Sequence, residues 1–441
     1  MKVQLKKKII VILVVISILV FGIIAYKTPY LLPYEVLEPI RSLRDLAQEF
    51  THTAERNTGV PLKAQIRDDD FKVEEFVTGL KQPTQMAFIG NDLLVLEKNQ
   101  GKVRLVREGI LQPEPVLDVE VGANNESGLL GISIVDSSVY LYFTEAEKDG
   151  GQTFANNIYR YTWDGNTLIN PILVNTLSSE SSWHNGGGMT VTKEGVVYVV
   201  IGDQMGGTGT HTKNEFTILQ NYENGMIDDS GVIVHVGLDD KVTQPKLAQD
   251  PLSHYYAVGI RNSFGLAIDP ITGNMWDTEN GPDNFDEINL VQPKFNSGWA
   301  VIMGPATEEQ ISKIPPLGDF QYSDPEFSWE RTVVPTGLTF LNSDLFAKYK
   351  DEMIVGACSS GQLLTFKLNE ERTQFVFDTP HLQDRIANFT TLDNGQKDFE
   401  SLDEIVFGTG FGCITDVEMG PDGSLYVVSI TDNMIYRIMS K

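Results

Sequence analysis

The chain has 441 residues, 41% hydrophobic and 21% charged, a globular composition with material for a large core. A formal net charge of −26 argues against nucleic acid as a partner and favours solubility, without fixing a fold. Two cysteines, Cys358 and Cys413, are too few for a disulfide framework, although a single bridge is permitted outside the cell.

In chain order, residues 1–8 read as a basic cytoplasmic tail ending in Lys6-Lys7-Lys8, and residues 9–26 as a transmembrane anchor. The apolar run Ile9 to Ala25 is broken only by Ser17 and Gly22, and a spanning helix needs ~17–25 such residues. The lysines predict that the main domain lies outside the cytoplasm. A cleaved signal peptide is the rival, disfavoured by Ile23, which stands where cleavage wants a small side chain. Residues 27–70 read as a stalk or linker, with helical apolar spacing from Leu37 to Phe50.

From Phe71 to Lys441 one pattern recurs: a short alternating strand, a turn, then a second strand with an aromatic or aliphatic residue at its middle. Leu94, Tyr140, Tyr198, Trp276, Ile354 and Tyr426 mark six such units, 46 to 78 residues apart. Alternation with Gly, Asp and Asn between runs predicts strands and turns, and repetition at this spacing predicts propeller blades. The expected fold class is all-β, a six-bladed β-propeller over residues 71–441 with an N-terminal transmembrane helix and short stalk.

Ligands of a propeller lie on loops at one end of its channel. The segment 182–189, Ser-Trp-His-Asn-Gly-Gly-Gly-Met, places His184 before three glycines, so the backbone bends there or approaches something closely. His184 is either a base over a pocket or a polar residue preceding a turn. Arg261-Asn262 offers a planar cationic fork beside an amide, suited to a carboxylate-bearing ligand. Gly281-Pro282 lies between Glu279 and the acids Asp283, Asp286 and Glu287. Carbonyls with carboxylates suit calcium; the alternative is a turn of solvated acids. Phe295 to Trp299 reads as a turn placing an aromatic against the next blade.

The segments SGLLGISI (127–134), WHNGGGM (183–189), YVVIGDQ (198–204), GIRNSFGLAIDP (259–270), ENGPDNFDEINL (279–290), NSGW (296–299) and DVEMGPDGSLYVVS (416–429) resemble, in this order, the glucose/sorbosone dehydrogenase-like quinoproteins. That family includes soluble aldose dehydrogenases that use pyrroloquinoline quinone (PQQ). The resemblance implies a six-bladed propeller, with His184 as catalytic base and Arg261 and Asn262 contacting PQQ. It further implies that the carbonyls of Gly281 and Pro282 hold a calcium that bridges to the quinone; Asp286 and Glu287 are candidate metal ligands on their closeness in sequence alone.

The chain also departs from the family pattern. Glu126 stands in place of a glutamine, Trp183 in place of an aspartate, and Gly188 in place of an arginine. Ser359, Cys413 and Thr415 stand where a lysine and two arginines would grip the cofactor. Arg331 and Arg385 are candidate substitutes. The alignment also implies that Cys358 and Cys413 are neighbours on the channel wall, as a disulfide or a thiol pair.

The expected function is a membrane-anchored, extracytoplasmic dehydrogenase that oxidises an aldose or related alcohol by hydride transfer to PQQ and passes electrons to an unknown acceptor. The alternative is a non-catalytic calcium-binding propeller that binds sugar or a protein partner. A calcium-dependent hydrolase is a third reading, weakened because the acids cluster on one blade.

Overall fold

Short turns set the strand pairing. Gly90-Asn91 and Asp136-Ser137 form two-residue hairpin connections, between Ile89 and Asp92 and between Val135 and Ser138. The first residue of each turn has positive φ, 60° at Gly90 and 55° at Asp136, as tight hairpins require. The computed structural model describes residues 63–441 apart from 180, 205–221, 224–225, 228, 237–248, 283 and 392–396. The described region forms one unit from Lys63 onward.

The architecture is an all-β propeller of antiparallel sheets. The innermost strands are Pro83–Ile89, Leu129–Val135, Met189–Val191, Ser263–Ile268, Pro335–Phe340 and Ile414–Met419. Each touches the next around a closed ring. The marker residues fall on the second strand of each sheet, for example Tyr140 in Ser138–Ala146 and Trp276 in Met275–Glu279. The inner strands crowd the axis. A Cβ on Gly265 would lie 2.1 Å from the Thr336 carbonyl oxygen, and one on Gly337 2.6 Å from Asp416 Cα, so only glycine fits at these crossings.

The core is divided among the seams between sheets. Leu130, Tyr142, Val199 and Val234 fill one seam. Trp276, Trp329, Val355 and Phe366 fill another. Second strands such as Met275–Glu279, Met353–Ala357 and Leu425–Ser429 are buried on both faces, so their buried side chains do not alternate with exposed ones.

The fold expected from sequence, six serial units carrying an N-terminal transmembrane helix and stalk, is corrected in how the ring closes. Five sheets take their first four strands in chain order. The sheet of Tyr426 has only three strands of its own, Ile414–Met419, Leu425–Ser429 and Met434–Ser440. Its fourth is Phe71–Thr78, paired antiparallel with Met434–Ser440, so this sheet joins the two ends of the folded unit. The ring is therefore five serial sheets closed by a composite one, whose outer strand is Phe71–Thr78. No helix among the described residues is long and apolar enough to cross a membrane. The run 9–26 and most of the stalk lie outside the described residues. Upstream of Phe71, Gln65–Ile66 already pairs with Val406–Thr409.

Candidate active site

His184 lies in the loop between the strands Leu168–Leu177 and Met189–Val191, with φ at +54°. Its backbone N–H donates to Glu126 Oε2 at 2.6 Å. Its ring Nδ1 is 2.5 Å from Asp203 Oδ1, and both side chains are almost fully buried. The glycines around it are required by close approach. A Cβ on Gly186 would lie 2.3 Å from the Val200 carbonyl oxygen. One on Gly202 would lie 2.6 Å from the Arg261 carbonyl oxygen and 2.7 Å from that of His184. Gly202 thus lets the two site segments close on each other, and the Asp203 N–H donates to the Arg261 carbonyl at 2.8 Å.

Arg261 and Asn262 lie between Tyr255–Val258 and the inner strand Ser263–Ile268. The Arg261 backbone N–H donates to Glu279 Oε1 at 2.6 Å, and its Nη1 donates to the Asn280 carbonyl at 2.5 Å. Its guanidinium lies over the Trp299 ring, 5.3 Å from the centroid, an arrangement that favours a cation. Trp299 in turn donates its indole N–H to Asp203 Oδ2 at 2.5 Å. Asn262 Nδ2 approaches Glu126 Oε1 at 3.4 Å. Arg261 Nε and Asn262 Oδ1 are buried without a hydrogen-bond partner. Burial lowers the Arg261 pKa, against the opposing fields of Asp203, Glu279, Glu126 and Asp286.

The structure therefore brings His184, Glu126, Arg261 and Asn262 together. Gly281 and Pro282 adjoin them through Asn280, whose backbone N–H donates to the Asn262 carbonyl at 2.8 Å. Asp286 shapes that turn. Its Oδ1 accepts the Gly281 N–H at 2.9 Å, and its Oδ2 accepts the N–H groups of Val333 and Val334 at 2.6 and 2.7 Å. Glu287 accepts the Gly304 N–H. Burial raises Asp286 to about 6 and Glu279 to about 7. Burial first, and Glu279 beside them, push Asp277 and Glu287 far above the carboxylate range. Among the described residues, no three His, Cys, Asp or Glu side chains are grouped to hold a metal.

Ser359, Cys413 and Thr415 are neutral where the resemblance implies basic residues. Ser359 Oγ donates to the Val333 carbonyl, and Thr415 Oγ1 to that of Pro83. Cys413 forms a disulfide with Cys358 across a Cα separation of 3.8 Å, the neighbour relation expected for the pair. Arg385 is paired with Glu326, and Arg331 is exposed beyond the Asn284 pairing.

Sequence reasoning left four contributors unassigned: Asp203, Glu279, Ser297 and Trp299. Ser297 Oγ donates to Glu279 Oε2 at 2.7 Å. Trp299, expected to pack against the next blade, anchors both Asp203 and Arg261. Asp203 follows a strand end one glycine away, and that position was its only local signal.

A cavity of about 480 Å³ lies apart from this cluster, bounded by Phe76, Phe88, Tyr426 and Arg437. Arg437 is already paired there with Glu74 and Asp422.

Comparison with known proteins supplies the family. Residues 80–437 match the family described as Glucose / Sorbosone dehydrogenase. An uncharacterised protein of Synechocystis sp., slr1608, is 25% identical over 84% of this chain and 86% of its own length. The aldose sugar dehydrogenase YliI of Escherichia coli is 24% identical over 81% of this chain and 89% of its own. A PQQ-bound aldose sugar dehydrogenase from Streptomyces coelicolor has the same fold, with a TM-score of 0.59 and 21% identity over 85% of this chain and 99% of that one. The chain belongs to the Glucose / Sorbosone dehydrogenase family.

Proposed function

We propose that this chain is a sugar dehydrogenase that oxidises an aldose or related alcohol with PQQ as hydride acceptor. The observation that carries this reading is the His184–Asp203 contact beside Arg261 and Asn262. Asp203, as a carboxylate, accepts from Trp299 and needs a proton from His184 Nδ1. That fixes the tautomer with Nε2 as the basic nitrogen. His184 Nε2 then takes the proton of the substrate hydroxyl, a role typically worth ~10²–10⁴-fold in rate. Asp203 stabilises the imidazolium that forms.

The residues on the Arg261 side fit the cofactor. Arg261 Nε and Asn262 Oδ1, a buried donor and a buried acceptor without partners, suit an oxygen-rich planar ligand. Arg261 and Asn262 would hold it, and the carbonyls of Gly281 and Pro282 would hold a calcium beside it, with Asp286 fixing that turn. Bound there, the quinone supplies the hydride-accepting centre, chemistry that no side chain offers. Trp299 and Glu279 keep Arg261 in place from two directions.

A second reading, a calcium-binding propeller without quinone, is favoured by the neutral wall of Ser359, Cys413 and Thr415. Charge-assisted contacts to a tricarboxylate are missing there. We place the domain outside the cytoplasm, where a disulfide such as Cys358–Cys413 persists. Alkaline phosphatase fused after Lys441 would be inactive in the opposite case.

The deciding test loads purified protein with quinone and calcium, then follows the bound quinone's absorbance and dye reduction by a panel of sugars. Quinone uptake with sugar-dependent reduction is expected. No uptake at millimolar calcium would leave the binding reading in its place.

A further inference from the structure

Glu126 is wedged between two residues of the site. Its Oε2 accepts the His184 N–H at 2.6 Å. Among the described residues, its Oε1 receives only the long 3.4 Å approach of Asn262 Nδ2, although a carboxylate oxygen has room for about two donors. The residue is half-buried, and burial raises its carboxyl above the ordinary range, opposed by the neighbouring His184, Asn262 and Arg261. Beside it, Ser127 Oγ is buried without a partner. An oxygen short of donors next to another unpaired polar atom is where a polyhydroxylated ligand gains most.

The charge around this oxygen is lopsided. Glu126, Asp203, Glu279 and Asp286 all act on Arg261. The other cation near Glu126 is Lys98, whose pKa burial lowers to about 8. Four acids therefore face two basic side chains and His184. A ligand carboxylate placed against Glu126 would meet like charge in a partly desolvated setting, which is strongly unfavourable, and a ligand ammonium would meet the reverse.

We propose that Glu126 is a specificity-determining residue that accepts hydrogen bonds from the hydroxyl or ammonium groups of a sugar held at His184, selecting neutral and amino sugars against acidic ones. This rests on the sugar-oxidising reading above and adds to it the class of sugar.

The test is binding rather than turnover. Saturation-transfer NMR on the full chain compares glucosamine, glucose and glucuronate, in the wild type and in Glu126→Gln and Glu126→Asp. Glutamine keeps an oxygen for the His184 N–H and removes only the charge. The expected wild-type order is glucosamine, then glucose, then glucuronate, with the first and last about tenfold or more apart. Glu126→Gln should reduce that spread to about twofold, and Glu126→Asp should restore the order. Sugar binding without this order, or an order that survives Glu126→Gln, overturns the role of Glu126 and leaves the sugar reading intact. No binding of any of the three sugars overturns both.

Discussion

His184 Nδ1 lies 2.5 Å from Asp203 Oδ1, and the other oxygen of Asp203 accepts the indole N–H of Trp299 at 2.5 Å. Three segments far apart in sequence thereby fix one imidazole. The carboxylate sets which ring nitrogen carries the proton, and the indole sets where the carboxylate points. Asp203→Asn keeps the shape but removes the charge that stabilises the imidazolium. The turnover number of the quinone-loaded enzyme should fall ~10²–10⁴-fold with the thermal midpoint little changed. Steady-state dye reduction alongside thermal melting checks this, and unaltered turnover would show that His184 does not act as base.

Gly202 separates the carbonyls of His184 and Arg261. A methyl group there would lie within 2.7 Å of both, so Gly202→Ala must push the two segments apart. Overpacking of this kind costs about 1–3 kcal/mol. Urea unfolding should show that loss, and dye reduction should show turnover falling as well, because the displaced groups belong to the site.

The disulfide Cys358–Cys413 closes a loop over a sequence separation of 55. Chain entropy assigns such a crosslink about 4 kcal/mol. It also joins the end of the strand Met353–Ala357 to the start of Ile414–Met419 in the neighbouring sheet. Unfolding by guanidinium with and without reductant should differ by roughly that amount. Coincident curves would show that the bridge adds nothing to stability.

Asp416 and Glu418 lie on the inner strand of the closing sheet. Burial lifts Asp416 to about 7 from an ordinary 3.8, and burial together with Asp416 raises Glu418 well above its usual range. The folded state holds these protons while the unfolded chain releases them. Stability from this pair is thus present below about pH 4 and lost as pH rises towards 7. Asp416→Asn keeps an acceptor oxygen for the Met86 N–H, which Asp416 now accepts at 2.8 Å. Chemical denaturation from pH 4 to 8 should decline less steeply in this variant than in the wild type.

Much of the architecture was legible in the sequence because it rests on local rules. Alternating apolar runs with Gly, Asn and Asp between them make hairpins wherever they occur, and the six marker residues each fell on a second strand. The glycines that follow His184 already indicated that the backbone is crowded there. Tertiary structure alone decided how the ring closes, since the pairing of Phe71–Thr78 with Met434–Ser440 joins segments with no local signal for each other. It decided the partners of His184 as well. Asp203 meets the imidazole, and Trp299 meets Asp203, because the packing of the sheets brings their loops together, and no spacing along the chain encodes that. Asp286 shows the same limit. Its acidic composition suggested a metal ligand, yet both its oxygens are taken by backbone amides of Gly281, Val333 and Val334. A carboxylate's role depends on which donors the fold brings to it, and its neighbours in sequence do not fix those.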